Sequence, residues 1–224
     1  MTEEKKVKIQ ELIEESGVTA NDYVFVNGTP QSSNGVGLSK WIEKEIEEVD
    51  EQIDNLEKKH NLKSVCKKGC CECCKQCIVV MSSECPAIET HIRRMDSETQ
   101  MMLKRKTLEL CKDLNEIGIN DRRVNSCISD SMQRKLQEDY FKLNKKCIFL
   151  DKDDACMIHS VRPSLCWSYR EYDTSEKCAE SCFSDTGIKF DDWEKRVIER
   201  LISARKPSGK LQILPFAIKK YMNW

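Results

Sequence analysis

Two cysteine-rich runs constrain this chain more than any other feature. The first is CKKGCCECC at 66–74, and the second is CIFLDKDDACMIHSVRPSLCW at 147–167. Three cysteines of the first run stand at C-x3-C-x2-C spacing with a fourth adjacent, so several thiols can converge without long loops. The second run adds cysteines from a distant part of the chain, which is how a metal centre joins remote segments. The pattern predicts a thiolate-ligated metal site.

Metal ligation explains the 14 cysteines of this 224-residue chain better than disulfides do. The sequence MTEEKKVKIQELIEE at the N-terminus lacks the apolar run and cleavage site of a signal peptide. We therefore expect a cytoplasmic protein, and cytosolic thiols are kept reduced. Only three histidines are present, so thiolate is the main ligand type available.

The overall charge gives no indication of a highly charged partner. Lys and Arg number 37 against 38 Asp and Glu, which gives a net charge of −1. Such a chain has no global field that would draw it to nucleic acid or anionic lipid. The apolar stretches are also too short to span a bilayer. We expect no nucleic-acid partner and no membrane span, while a protein or redox partner and the oligomeric state stay open.

Outside the cysteine runs, the spacing of apolar residues is mostly helical. It predicts a helix over 3–16 that Gly17 ends, an irregular segment over 18–37 with a short strand at 23–26, and a long helix over 39–60. The stripe on the long helix favours packing on the chain's own core over a coiled-coil dimer. Further helices are expected near 83–95, 97–117, 121–144 and 190–205. Ser97 with Gln100 resembles a capping box, and Gly118 suits a C-terminal cap.

The fold class predicted is mainly α, a helical bundle with a loop-rich, cysteine-ligated metal-binding region. Helical periodicity disappears over 145–185, where we expect loops and short hairpins and a metal in place of a hydrophobic core. The apolar tail at 211–224 favours a final element docked on the bundle over a lid or a partner-binding segment. The expected organisation is an N-terminal helical extension at 1–61, a cysteine-cluster domain with inserted helices at 62–185, and a C-terminal helix and tail at 186–224.

The adjacent pair Cys73 and Cys74 bears on the kind of metal centre. Neighbouring side chains point in different directions on a helix or a strand, so one small ion seldom takes both. The pair favours two neighbouring sites or one polynuclear cluster. Eight thiols would complete two tetrahedral sites, with Cys182 as an alternative to the last of them. The candidate ligands are Cys66, Cys70, Cys73, Cys74, Cys147, Cys156, Cys166 and Cys178.

The remaining cysteines carry a weaker signal. Cys111 and Cys127 lie in helical patterns, where a buried free cysteine behaves as a small hydrophobe. Cys71, Cys77 and Cys85 lie near the first run in sequence and are alternative ligands or redox partners, but crowding alone is weak evidence for either role.

The two runs resemble the YkgJ-type cysteine-cluster family, described as a zinc- or iron-chelating domain and often named as iron-sulfur oxidoreductases or flagellin N-methylases. The resemblance covers about 62–180 and rests on Cys66-x3-Cys70-x2-Cys73-Cys74 together with CIFLD, CMIH and RPSLC of the second run. The family pattern runs C-P-F-L, C-x-I-Y, R-P and C-R. Here Ile148 replaces the proline, His159 the tyrosine and Trp167 the arginine, while the thiols all match.

This resemblance implies metal binding more firmly than it implies a reaction. An iron–sulfur cluster, with 4Fe-4S favoured, and zinc are the cofactors to consider, and S-adenosylmethionine enters if the chain is a methylase. Arg162 beside the thiols could bind a cofactor or substrate, although a structural role is favoured. The C-x3-C-x2-C spacing also occurs in radical S-adenosylmethionine enzymes, but the helical periods argue against their partial barrel. A structural zinc scaffold without catalysis is the alternative.

Overall fold

The protein is described by a computed structural model that covers residues 1–30, 35–67, 69–127, 129–204 and 211–224. These residues are mainly α-helical, as the sequence predicts. Part of the polar loop expected over 18–37, one position of the helix expected over 121–144, and the last position of the helix expected near 190–205 lie outside the described residues. No described helix is long and apolar enough to cross a membrane.

Helices α1 (Glu3–Asp22) and α2 (Gly35–Lys59) form the N-terminal part of the fold. Helix α1 begins at a Thr2 cap and continues beyond Gly17, so its predicted end there is wrong. Helix α2 confirms the long helix predicted from its apolar stripe, which packs on other elements of this chain, as expected.

The strand predicted at 23–26 is wrong, and the irregular segment is shorter than expected. Tyr23 and Phe25 pack instead against the ring of Trp193, with centroids 5.3 and 6.2 Å away. The Val26 N–H donates to the carboxylate of Glu48 at 2.8 Å. Side-chain partners thus replace the neighbouring strand that an extended segment would need.

The middle helices match the predicted positions except at one break. The predicted cap at Ser97 is wrong by one residue, because Asp96 accepts from the Thr99 N–H at 2.8 Å. Gly118, with φ of +71°, follows the helix end as predicted. The helix expected over 121–144 is two helices, because Ser129 caps a new one. The bounds are α3 Cys85–Arg93, α4 Ser97–Glu116, α5 Asp121–Asn125 and α6 Asp130–Phe141.

The cysteine-rich part consists of short elements, as predicted. Strand β2 (Tyr169–Glu171) pairs antiparallel with strand β3 (Gly187–Lys189), with Arg170 opposite Ile188, and an isolated bridge joins Leu150 to Cys156. Its elements are 3-10 turns at Glu72–Lys75 and His159–Val161, α7 Ser164–Trp167, β2 Tyr169–Glu171, α8 Ser175–Glu180 and β3 Gly187–Lys189.

The expectation that a metal replaces the hydrophobic core over 145–185 is wrong. Phe149, Ile158 and Tyr172 from this region are all essentially inaccessible to solvent. They belong to the same core cluster as the apolar stripe of α2. Loop-rich backbone and apolar burial therefore coexist here.

The C-terminal part closes the fold. Strand β1 (Val79–Met81) pairs antiparallel with β4 (Leu211–Ile213), two short strands that the sequence did not reveal. Helix α9 (Asp191–Ala204) packs on α1, and α10 (Leu214–Tyr221) packs on α3 and α4. The tail is docked on the bundle, as predicted.

Candidate metal centre

Backbone hydrogen bonds connect the two cysteine runs directly. The Cys147 N–H donates to the Cys74 carbonyl at 2.8 Å. The Val65 N–H donates to the Glu171 carbonyl at 2.8 Å, and the Glu171 N–H donates to Cys66 Sγ at 3.4 Å. Segments about 70 and 105 residues apart in sequence are therefore held side by side.

Cys73 lies where the thiols of several segments come near one another. Its 3-10 turn contacts α8, which carries Cys178. A hydrogen bond with Cys74, followed by burial, raises the pKa of Cys73. The pKa is raised mainly by desolvation within the protein, and further by the Cys73 charge, for the thiols of Cys66, Cys147, Cys156, Cys166 and Cys178.

The eight candidate ligands differ in accessibility. Cys66 and Cys166 have the most exposed residue surface of the eight, although enough protein surrounds their sulfurs to raise the pKa of both thiols, and Cys178 is buried. The intermediate ones are Cys70, Cys73, Cys74, Cys147 and Cys156. Every cysteine of the chain falls in the described part, and all of them are free thiols.

The thiols approach one region but do not form a complete ion site. Among the described residues, no three Cys, His, Asp or Glu side chains are arranged to hold one metal ion together. The ligand set from the sequence therefore stays a prediction. The donor chemistry nevertheless fits a thiophilic group, since both runs supply soft, uncrosslinked thiols and a backbone hydrogen bond joins Cys147 to Cys74.

The other cysteines separate into two groups. Cys77, Cys85 and Cys111 are buried in the protein interior, which agrees with a packing role. The pKa of Cys182 is raised by burial, and its charged neighbours are Glu138 and Arg134 rather than thiols. Cys178, which interacts with Cys66 and Cys73, is therefore the better candidate of the two.

Cys71 and Cys127 differ from the three interior cysteines in their surroundings. Cys127 is half-buried, and its Sγ donates to the Arg123 carbonyl at 3.1 Å, so it packs at the edge of the core. Cys71 is buried beside Asp154, and burial followed by the Asp154 charge raises the pKa of its thiol.

Two buried carboxylates position the loops that carry the thiols. Glu171 Oε1 accepts from the N–H groups of Tyr172 and Asp173 at 2.9 and 2.8 Å and from the Thr186 hydroxyl at 2.5 Å. Glu84 accepts from Ser164 N–H, at the start of the helix that carries Cys166, at 2.8 Å. Sequence reasoning missed both, because a single glutamate at the end of a strand or the start of a helix gives no signal of burial.

Arg162 is held by an acidic residue rather than by a sulfur. Its guanidinium donates to Asp50 at 2.7 Å and to the His159 carbonyl at 2.9 Å. Arg170, which sequence reasoning missed, donates to Asp54 at 2.5 Å and to Glu57 at 3.0 Å. The available sequence signal was the spacing of Asp50, Asp54 and Glu57 on α2, because carboxylates at i, i+4 and i+7 share one helix face.

A cavity of about 510 Å³ adjoins the first cysteine run. Cys70 and Cys71 form part of its wall, and Asp154 and the start of α8 at Ser175 form other parts. Three of the acidic side chains that line it have cationic partners, such as Lys146 with Asp154 at 2.7 Å. Glu176 instead has Thr174 and Ser175 as hydrogen-bond partners.

Comparisons with protein families, curated proteins and solved structures gave no match for this chain. The similarity to the YkgJ-type family accordingly stays a prediction that rests on the two cysteine motifs.

Proposed function

We propose that this chain is a cysteine-cluster metal-binding protein that holds an iron–sulfur cluster, with 4Fe-4S as the favoured form. The observation that carries the proposal is the backbone hydrogen bond from Cys147 to Cys74, which holds the free thiols of the two runs side by side. Iron–sulfur clusters are held by cysteine thiolates, and a polynuclear cluster can be reached from several directions. The adjacent Cys73 and Cys74 suit such a cluster better than a single ion.

Zinc is the second candidate, as a structural ion in a scaffold or interaction module. Tetrahedral thiolate sites are closed and stabilise loop-rich segments, and the segment over 145–185 is of that kind. Acid-labile sulfide separates the two candidates, because only an iron–sulfur cluster contains it.

A catalytic role has support of a different kind. Similarity to the YkgJ-type family suggests an iron–sulfur oxidoreductase or a protein lysine N-methylase that uses S-adenosylmethionine. The cavity beside Cys70 is large enough to admit a small molecule near the proposed centre. Calorimetric titration of the loaded protein with S-adenosylmethionine tests the methylase candidate, and the absence of heat at millimolar ligand would remove it.

The metal proposal is tested by comparing cysteine variants after anaerobic loading with iron and sulfide, and in parallel with Zn²⁺. Cys73→Ser should lower bound metal by at least half, because Cys73 is central to the thiol group. Cys111→Ser is the matched control, because Cys111 is a buried free thiol with no thiol charge acting on it. Equal metal content in both variants would contradict the proposal.

A further inference from the structure

One face of α2 carries three carboxylates that hold two arginines. Asp50 accepts from Arg162 at 2.7 Å and from Arg170 at 3.3 Å. Asp54 and Glu57 also form ion pairs with Arg170, at 2.5 and 3.0 Å. Both arginine side chains are only 11% exposed. Burial by itself would lower the pKa of Arg170, but its three carboxylate partners raise it further above its ordinary value, so the residue is cationic.

Each arginine also lies near a different part of the thiol group. Arg162 lies between Cys156 and Cys166 in the second run, and its guanidinium donates to the His159 carbonyl at 2.9 Å. Arg170 directly precedes Glu171, whose carbonyl accepts from the Val65 N–H at 2.8 Å and whose N–H donates to Cys66 Sγ at 3.4 Å. Strand β2 thus carries a fixed cation one residue away from the hydrogen-bond donor to Cys66.

We propose that Asp50, Asp54 and Glu57 hold Arg162 and Arg170 as positioning residues that offset the negative charge of the cofactor's thiolates. This inference rests on the proposed function. Several thiolates brought together repel one another, and fixed cations nearby reduce that repulsion. Groups outside the ligand shell commonly change metal affinity by about 10- to 100-fold. Helix α2, which lies outside the cysteine motifs, is thereby part of the metal centre.

The planar guanidinium suits this arrangement. Its several N–H donors let Arg170 contact three carboxylates at once, and its charge does not depend on pH. Asp50 is the shared member of the group, since it accepts from both arginines. Loss of Asp50 should therefore loosen both cations together.

A purely structural role is the competing explanation, and the same helix offers a matched control. Glu45 on α2 is fully buried and accepts two hydrogen bonds from Arg200, each at 2.9 Å. Arg200 is 20% exposed and stands over the Phe25 ring at 4.4 Å. Arg200→Gln therefore breaks a comparable α2 ion pair among aromatic rings and serves as the control.

The experiment uses full-length protein purified without oxygen and loaded with iron and sulfide, or with Zn²⁺ if it takes up zinc instead. The rate of metal release to a chelator is measured for wild type, Arg170→Gln, Arg170→Lys, Asp50→Asn and Arg200→Gln. We expect release from Arg170→Gln to be about 10-fold faster than from wild type. Release from Arg170→Lys should be slower than from Arg170→Gln, because lysine keeps the positive charge but lacks the branched N–H donors of a guanidinium. Asp50→Asn should accelerate release several-fold, and Arg200→Gln should leave it unchanged.

For an iron-loaded protein, the reduction potential is a second readout. Removing a cation disfavours the added electron, so Arg170→Gln should shift the potential downward, whereas Arg200→Gln should not. Asp50→Asn keeps the inference testable if Arg170→Gln does not fold. Release rates and potentials that match the Arg200→Gln control would overturn this inference while the metal proposal stands. Wild-type protein that takes up neither iron with sulfide nor zinc would overturn both.

Discussion

The long helices and the cysteine-rich region are held together in different ways. Helix α2 buries a stripe of apolar side chains against its neighbours, and burial of that kind follows from helical periodicity. The segment around 145–190 has short elements, and its loops are fixed by carboxylates such as Glu171 that accept backbone N–H groups. The thiol-bearing loops are therefore positioned by the polypeptide itself, so a cofactor would add to an existing scaffold.

Replacement of Trp193 by Ala should have the largest effect. Its side chain is fully buried and packs on Tyr23 and Phe25. A buried aromatic replaced by Ala typically costs about 3–5 kcal/mol of unfolding free energy. The loss, measured by urea denaturation, should be the same with and without a metal chelator, because the site lies in the helical region. If the loss of unfolding free energy depended on the chelator, the helical region would not be stabilised independently of the metal, and the two regions would not differ in this way.

Cys166→Ser should separate the contribution of a cofactor from that of packing. Cys166 is exposed, so the change should hardly alter the melting temperature of the metal-free protein. In metal-loaded protein it should remove the stabilisation by the ligand, which is about 2.7 kcal/mol at 100 times Kd. Cys111→Ser should instead lower the stability of both forms equally, because Cys111 is buried. Equal melting losses for the two variants in loaded protein would contradict ligation by Cys166.

Glu171→Ala tests the carboxylate scaffold of the cysteine-rich region. The change leaves buried donors of Tyr172, Asp173 and Thr186 without their acceptor, which should cost about 1–3 kcal/mol. Glu171→Gln should cost less, because it retains one oxygen acceptor. Amide hydrogen exchange should accelerate over 169–189 rather than over α2. Uniform acceleration throughout the chain would show that the two regions unfold as one unit.

Glu84 gives the smallest predicted effect, a dependence of stability on pH. Burial raises the pKa of Glu84 from its ordinary 4.5, although hydrogen bonds from Met81 and Ser164 oppose the shift. The folded state therefore binds this proton more tightly than the unfolded state. The associated stability is present below pH 4.5 and is lost as the pH rises through the folded pKa.

The measurement for Glu84 is the unfolding free energy of wild type and Glu84→Gln from pH 4 to pH 8. The variant cannot ionise, so the advantage of wild type over it should shrink as the pH rises. A difference that stays constant, or grows with pH, would show that the pKa of Glu84 is not raised by folding.

Local patterns carried most of the helical prediction. The stripe on α2 and the position of Gly118 were sufficient because they act within a few residues. The break before α6 was missed, although Ser129 is a good cap, because the apolar spacing continues across it. The short strands β1 and β4 pair residues about 130 positions apart, which no local pattern reveals.

The site was predictable only in its ligand types. Cysteine spacing predicts a set of thiol ligands, since sequence records the chemistry of each residue, and that set stays a prediction. Arg170 and Asp50 meet across 120 residues, and their pairing depends on how α2 packs. The buried apolar side chains of the cysteine-rich region were also missed, because Tyr172 stands between two acidic residues and the apolar run around Phe149 is too short to show a period.

The most direct test of the central claim is metal and acid-labile sulfide analysis, with an absorption spectrum, of wild-type protein purified without oxygen. We predict a brown protein that contains iron and sulfide in comparable amounts and loses its colour in air. A colourless protein with one or two zinc ions would make the thiols a structural site. A protein with neither metal would contradict the assignment of these thiols to a metal centre.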